Sequence, residues 1–223
     1  MLPLRISICN GTVKDMKSIG IENENVQQYL STSEKRNEKT LNTQSKRTIT
    51  IEEEYGTLKF ERRLSHPKAI VWNAITDPKE IFKWMSDYKG IFDGHNSGAI
   101  DLVNTVSGSH VTGDILVWDL HRVFEYEWHI SPNPDWFPHG EPESVIRWEL
   151  KLDGDSDTLL LTVSHSRLTK STALLFAPGW HAYLDRLEAS LNNQVLPDLM
   201  RRRAEVKELY PSITTTNKLE GNN

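Results

Sequence analysis

The sequence is poor in the residues and patterns that mark several common classes of protein. Its single cysteine, Cys9, excludes an internal disulfide and any multi-cysteine metal site. No run approaches the length of about 18 apolar residues that a membrane-spanning helix needs. Basic residues number 26 against 31 acidic ones, and the net charge of −5 argues against a nucleic-acid partner, which would require a basic surface. We therefore expect a chain without a membrane span, located most simply in the cytoplasm.

Patterns that carry known chemistry are also absent. The eight histidines are scattered, with neither an HExxH motif nor a close pair, so we predict no metal site. No glycine-rich phosphate loop follows a predicted strand, because SGSHVTG belongs to a hairpin, and no GxSxG nucleophile motif occurs. We therefore predict no cofactor.

The aromatic residues show where the chain folds. All seven tryptophans fall between Trp72 and Trp180, and all six phenylalanines fall between Phe60 and Phe176. By contrast, residues 31–48 contain only Leu41 from the apolar set, and such a segment buries too little surface to offset the entropy of ordering. We predict a polar, disordered arm at 1–54, a folded domain at 55–210 and a disordered tail at 211–223.

Hydrophobic periodicity predicts an α+β domain. Alternating apolar residues indicate about six strands, and 3.6-residue spacing indicates two short helices after the first strand and a long helix ending near Asn193. Asp77 followed by Pro78 predicts the N-terminus of the second short helix. Because one sheet face is apolar, the long helix should lie across that face. The predicted strands are 57–65, 99–106, 110–120, 122–130, 144–152 and 158–166.

The stretch FAPGWHAYLDRLEASL belongs to the long helix, and Pro178-Gly179 is expected to start or kink it. Helical spacing puts Trp180 on the stripe that grips the sheet, whereas His181 lies beside that stripe, within i,i+4 reach of Asp185. His165 shares the strand face of its apolar neighbours and should therefore face the helix. The run Arg201-Arg202-Arg203 is interpreted as a solvated face or as a complement to the helix dipole.

Several motifs in order resemble a known family. The runs NTVSGSHVTGDILVWDLHRVFEYEW, VIRWEL, LTVSH and GWHAYLDRLEASL are similar to the AHSA1-like (activator of Hsp90 ATPase homologue 1-like) branch of the SRPBCC (START/Bet v 1) superfamily. The resemblance covers about 57–191. It implies a helix-grip fold, in which a curved antiparallel sheet and the long C-terminal helix enclose an apolar cavity. The residues then expected to line that cavity are Trp72, Trp84, Tyr126, Trp128, Trp148, His165, Phe176, Trp180 and Leu184, with Asp114 and His181 as candidate polar cavity or rim groups.

Two features depart from the family pattern. The Hsp90 activator that names the branch has a separate globular N-terminal domain, and here those positions hold the polar arm. The connection 131–143 is longer than the tight turn usual in the branch, and it contains Trp136 and Phe137. These two aromatics would cap the cavity mouth, anchor the loop to its own domain or form a patch for a protein partner.

Three functions are compatible with the residues. The leading hypothesis is non-catalytic binding of a small, largely apolar molecule, because no strong catalytic set accompanies the aromatic residues. The second is a cyclase- or hydrolase-type enzyme that uses His165, Asp114 or His181 as acid–base groups. The third is a protein-interaction module, chaperone-linked or otherwise, acting through the sheet's outer face or the 131–143 loop. The sequence identifies neither the ligand nor the oligomeric state.

Overall fold

The computed structural model describes residues 45–52, 55–137, 139–154 and 158–210. Within them, eight strands form one sheet in which every neighbouring pair is antiparallel. The strands are β1 (Ser45–Glu52), β2 (Tyr55–Leu64), β3 (Tyr88–Phe92), β4 (Ala99–Asn104), β5 (His110–Asp119), β6 (Val123–Ile130), β7 (Glu141–Leu152) and β8 (Leu159–Thr169). Their order across the sheet is β1-β2-β8-β7-β6-β5-β4-β3.

Helices α1 (Lys68–Thr76) and α2 (Pro78–Trp84) connect β2 to β3, which lies at the far edge of the sheet. The Asp77 carboxylate accepts a hydrogen bond of 2.9 Å from the Lys79 amide, so the predicted cap at this position is confirmed. Two further helices follow the sheet, α3 (Lys170–Leu191) and α4 (Leu199–Lys207). No helix among the described residues combines the length and the hydropathy needed to cross a bilayer.

The long helix α3 lies between two layers. It packs against β1, β2 and β8 on one side and against α4 on another. The core between helix and sheet is aromatic, and its largest fully buried side chains are Trp84, Trp148, Tyr126, Phe60 and Phe124. The predicted α+β helix-grip fold is therefore confirmed.

The structure corrects the predicted strand count from about six to eight. Residues 45–52, which we placed in the disordered arm, form β1 and pair with residues 55–62 of β2. Their composition is polar, but Arg47 and Ile49 lie half-buried on alternate positions, and this alternation is what a strand needs. The second addition is the short strand β3. Residues 1–44 and 211–223 lie outside the described residues.

One local expectation is also corrected. Helix α3 starts at Lys170, where the Thr169 hydroxyl accepts a hydrogen bond of 3.3 Å from the Thr172 amide, and it continues through Pro178 rather than starting there. Strand β5 contains a register shift between Ile115 and Val117, and this bulge moves the following residues to the opposite face.

Candidate functional site

A partly open cavity of about 140 Å³ lies between the sheet, α3 and α4. Its walls are mainly aromatic, and its polar lining atoms are few. The aromatic lining residues come from β3, β6, the 131–140 loop and α3; they are Tyr88, Trp128, Trp136, Phe137, Phe176, Trp180 and Tyr183. The ring centroids of Phe137 and Phe176 are 5.8 Å apart in an edge-to-face arrangement, so the loop closes onto α3.

The mouth of the cavity is apolar as well. Val106, Trp136 and Met200 line the cavity, and their residue surfaces are 65%, 49% and 54% exposed. An apolar rim of this kind gives an apolar molecule a favourable path from solvent into the cavity.

His165 on β8 lies on the cavity wall with both ring nitrogens engaged. Trp180 Nε1–H donates to its Nδ1 at 3.0 Å. The Ser144 hydroxyl donates to the Trp128 carbonyl at 2.6 Å, so at the 3.0 Å contact between Ser144 Oγ and His165 Nε2 the histidine must be the donor. These hydrogen bonds therefore select one neutral tautomer of His165, with the proton on Nε2. Burial lowers the pKa of His165 to about 3, in agreement with a neutral ring.

The polar end of the cavity is built around Asp87, which follows α2. Its Oδ2 accepts hydrogen bonds from the Tyr183 hydroxyl at 2.5 Å and from Asn104 Nδ2 at 3.0 Å. Its Oδ1 is buried and has no hydrogen-bond partner among the described residues. An unpaired buried carboxylate oxygen costs about 1–3 kcal/mol or more, so Oδ1 would gain from a hydrogen-bond donor.

Burial and the Asp87 charge act on the two tyrosines beside this carboxylate. The pKa of Tyr183 lies well above its usual value. Burial is the main cause, and the neighbouring Tyr88 and Asp87 add to it. Burial and the charge of Asp87 likewise raise the pKa of Tyr88. Both hydroxyls therefore stay protonated at neutral pH and act as neutral hydrogen-bonding groups.

Arg203 on α4 brings a positive charge to the same cavity. Its Nη2 donates to the Leu175 carbonyl at 3.4 Å, and it makes no ion pair with any described residue. The expectation that Arg201-Arg202-Arg203 forms a solvated face is thus wrong in part. Arg201 is exposed, but Arg202 pairs with Asp185 at 2.7 Å and Arg203 lines the cavity.

Four of the nine predicted cavity residues line the cavity, and five are placed in the core around it. Trp128, His165, Phe176 and Trp180 contribute to the lining. The remaining five are buried in the hydrophobic core against other side chains. These core residues are Trp72, Trp84, Tyr126, Trp148 and Leu184.

Neither candidate polar group lies at the cavity. Asp114 is exposed on the outer face of β5, where its amide donates to Glu127 Oε2 at 3.3 Å. The neighbouring Gly113 makes room for the Glu127 backbone, which an added Cβ would meet at 2.1 Å. His181 is buried on the side of α3 that faces α4, and its Nδ1 lies 2.8 Å from the Tyr210 hydroxyl. Burial lowers the pKa of His181 to about 4, although Asp185 at 3.6 Å opposes this change.

The sequence did not single out the polar end of the cavity. Asp87 and Tyr183 are 96 residues apart, and only the packing of α3 against the α2–β3 connection brings them together. The signal that was available is weak, namely a lone aspartate after the second predicted short helix and an asparagine within predicted strand 99–106. Within the described part of the chain, no three His, Cys, Asp or Glu side chains are placed to hold a metal ion.

An antiparallel sheet that grips a long helix, with an aromatic cavity between them, defines the helix-grip class of the SRPBCC superfamily. Comparison with family models gives the branch. The model described as "Activator of Hsp90 ATPase homolog 1-like protein" matches residues 65–192, more than half of the chain, and the chain therefore belongs to this AHSA1-like family.

Solved structures show the same fold. CalU16 from Micromonospora echinospora is 24% identical, with 74% of this chain and 95% of CalU16 covered at a TM-score of 0.55. Protein MLL2253 from Mesorhizobium loti is 20% identical, with 63% and 99% covered at a TM-score of 0.53. The product of gene BPP1335 from Bordetella parapertussis is 22% identical, with 69% and 84% covered at a TM-score of 0.53. A search of curated proteins gave no significant match.

Proposed function

We propose that this protein binds a small, largely apolar molecule, without catalysis, in the cavity between the sheet and α3. The observation that carries the proposal is the aromatic cavity itself, with an apolar rim and a small number of convergent polar groups at one end. This combination of apolar walls and a few orienting polar groups is typical of small-molecule sites.

The volume restricts the size of the ligand. Drug-sized ligands occupy pockets of roughly 300–1,000 Å³. The present cavity, of about 140 Å³, is closer to the apolar cavity of about 150 Å³ that accommodates benzene in an engineered protein. A single ring, or the buried end of a longer molecule that extends past the rim, fits this space.

The placement of the candidate acid–base groups favours binding over the proposed enzyme alternative. Of His165, Asp114 and His181, only His165 lines the cavity. Both of its ring nitrogens are occupied by Trp180 and Ser144, so it has no free position for proton transfer with a ligand. The loop aromatics Trp136 and Phe137 also contribute to the cavity, which supports a capping role over a patch reserved for a protein partner.

Gly179 provides a direct test. It lines the cavity, and a Cβ added there would meet no atom within 4 Å outside its own helix and chain neighbours. Gly179→Leu should therefore fill the cavity from α3 without displacing the backbone. Gly179→Ala is the matched control, since it adds one methyl group and should stabilise the helix by about 0.5–1 kcal/mol.

The experiment is a titration of the full chain with toluene, followed by saturation-transfer difference NMR and isothermal calorimetry. We expect the unmodified protein and Gly179→Ala to bind toluene, and Gly179→Leu to lose binding while keeping its thermal transition. Absence of binding to the unmodified protein, or equal binding by Gly179→Leu, would overturn the proposal.

A further inference from the structure

The cavity contains two opposite charges that are not paired with each other. Asp87 Oδ1 is buried without a hydrogen-bond partner, and the Arg203 guanidinium makes no ion pair with any described residue. Both side chains line the same cavity. A carboxylate and a guanidinium that share a small space ordinarily form a salt bridge, and Asp87 and Arg203 form none.

The two residues have different origins in the chain. Asp87 lies within the segment 65–192 that matches the family model, whereas Arg203 belongs to α4, which follows that segment. Helix α4 is also held in place by contacts away from the cavity, because Arg202 pairs with Asp185 at 2.7 Å and Val206 is buried. The position of Arg203 on the cavity wall is therefore set by contacts on other faces of α4.

The hydrogen-bonding capacity that remains at this end is specific. Tyr183 and Asn104 already donate to Oδ2 of Asp87, so Oδ1 is the oxygen that still needs a donor. Arg203 offers N–H donors and needs an acceptor. A carboxylate ligand would suit Arg203 but face Asp87, and an ammonium ligand would suit Asp87 but face Arg203.

We propose that the ligand carries a neutral hydroxyl at its buried polar end, which donates to Asp87 Oδ1 and accepts from Arg203, with an aromatic ring against the Trp128, Phe176 and Trp180 side of the cavity. This inference rests on the proposed function and names the ligand class of the same site as hydroxylated aromatic compounds. A hydroxyl is both donor and acceptor, and the single group therefore satisfies both charges.

The test compares four one-ring probes by calorimetry on the full chain: toluene, p-cresol, p-toluate and 4-methylbenzylamine. We expect p-cresol to bind roughly tenfold or more tightly than toluene, since a hydrogen bond to a charged group has about that effect. The two charged probes should bind more weakly than p-cresol. If p-toluate or the amine binds more tightly than p-cresol, the site selects an anion or a cation and the inference is wrong.

Two variants localise the effect. Asp87→Asn and Arg203→Gln should each reduce the ratio of toluene Kd to p-cresol Kd severalfold. Arg201→Gln, an exposed arginine on the same helix, and Asp101→Asn, an exposed aspartate on β4, are the matched controls and should retain the ratio.

Failure of this inference is distinct from failure of the proposed function. Equal affinities for toluene and p-cresol, or a ratio that survives both substitutions, contradict the hydroxyl anchor alone. If none of the four probes binds, the proposed function fails as well. If Asp87→Asn does not fold, Arg203→Gln still decides, because its side chain is on the surface helix α4.

Discussion

The indole Nε1–H of Trp180 donates a hydrogen bond of 3.0 Å to Nδ1 of His165. This contact joins the long helix to the sheet at the wall of the cavity, and the two ring centroids lie 5.9 Å apart in an edge-to-face arrangement. Because His165 is buried, its Nδ1 depends on this donor. Trp180 thus both grips the sheet and holds the neighbouring histidine in one tautomer.

Removal of this donor should destabilise the protein. Trp180→Phe keeps an aromatic ring but leaves Nδ1 of His165 unpaired, and we expect the free energy of unfolding to fall by about 1–3 kcal/mol more than in a control. Trp118→Phe is a suitable control, because the Trp118 indole donates no hydrogen bond to a described residue, although the ring packs against Trp72 at 5.1 Å. Urea denaturation provides the comparison, and equal losses in both variants would contradict the role given to the hydrogen bond.

The neutral state of His165 predicts how stability depends on pH. Its pKa is about 3 in the folded protein and near 6.5 without the fold. Between these values the unfolded chain binds one proton more than the folded chain, so stability falls as pH falls through this window, by roughly 1.4 kcal/mol per pH unit. His181, with a folded pKa of about 4, adds a second proton over the upper part of the window.

The measurement is the free energy of unfolding at pH 7, 6, 5 and 4.5 for the unmodified protein and for His165→Gln. The free energy of unfolding of the variant should decline less steeply as pH falls. The slopes should differ by about 1.4 kcal/mol per pH unit, which corresponds to one bound proton. Matching slopes for the two proteins would mean that His165 is protonated in the folded state or does not contribute. Above pH 7 the contribution of this histidine should not change.

Arg186 is expected to be critical for the position of α2 and of the segment that leads to α4. It is buried in α3, and its guanidinium donates to the Trp84 carbonyl at 2.8 Å, to Ser86 Oγ at 2.9 Å and to the Pro197 carbonyl. Arg186→Met preserves much of the volume but leaves these acceptors unpaired, with an expected loss of about 3 kcal/mol or more.

Thermal and urea unfolding of Arg186→Met should be compared with Arg201→Met, which changes an exposed side chain and should alter stability by less than about 0.5 kcal/mol. Because Pro197 lies two residues before the start of α4, Arg186→Met should also be cleaved faster by limited proteolysis between α3 and α4. Unchanged stability would contradict an anchoring role for Arg186.

The sequence was most informative where one element has a strong period. The meander of strands, the two short helices and the long helix follow from residue spacing, as does the inward position of Trp180. The first strand was missed because polar residues between Ser45 and Glu52 conceal its alternation, and pairing with β2 supplies what composition does not. Spacing alone does not give the inward face of β5, because a bulge changes that face within the strand and has no clear period of its own.

The polar end of the cavity was beyond the reach of residue spacing. Asp87, Asn104 and Tyr183 come from a turn, a strand and a helix that are distant in sequence, and no local pattern relates them. Arg203 was hidden in a basic triplet, where the three positions point in different directions around one helix. The arginine that faces the cavity is determined by how α4 packs against α3. That packing depends on tertiary contacts such as the ion pair between Arg202 and Asp185.

The proposal that the cavity binds a small apolar ligand can be tested most directly through the indole N–H resonances of the seven tryptophans. Trp128, Trp136 and Trp180 line the cavity, whereas Trp72, Trp84, Trp118 and Trp148 do not. In a titration of the ¹⁵N-labelled full chain with toluene, we expect the largest shifts at the three lining indoles and small shifts at the other four. An absence of shifts, or shifts concentrated on the four that lie away from the cavity, would contradict the account.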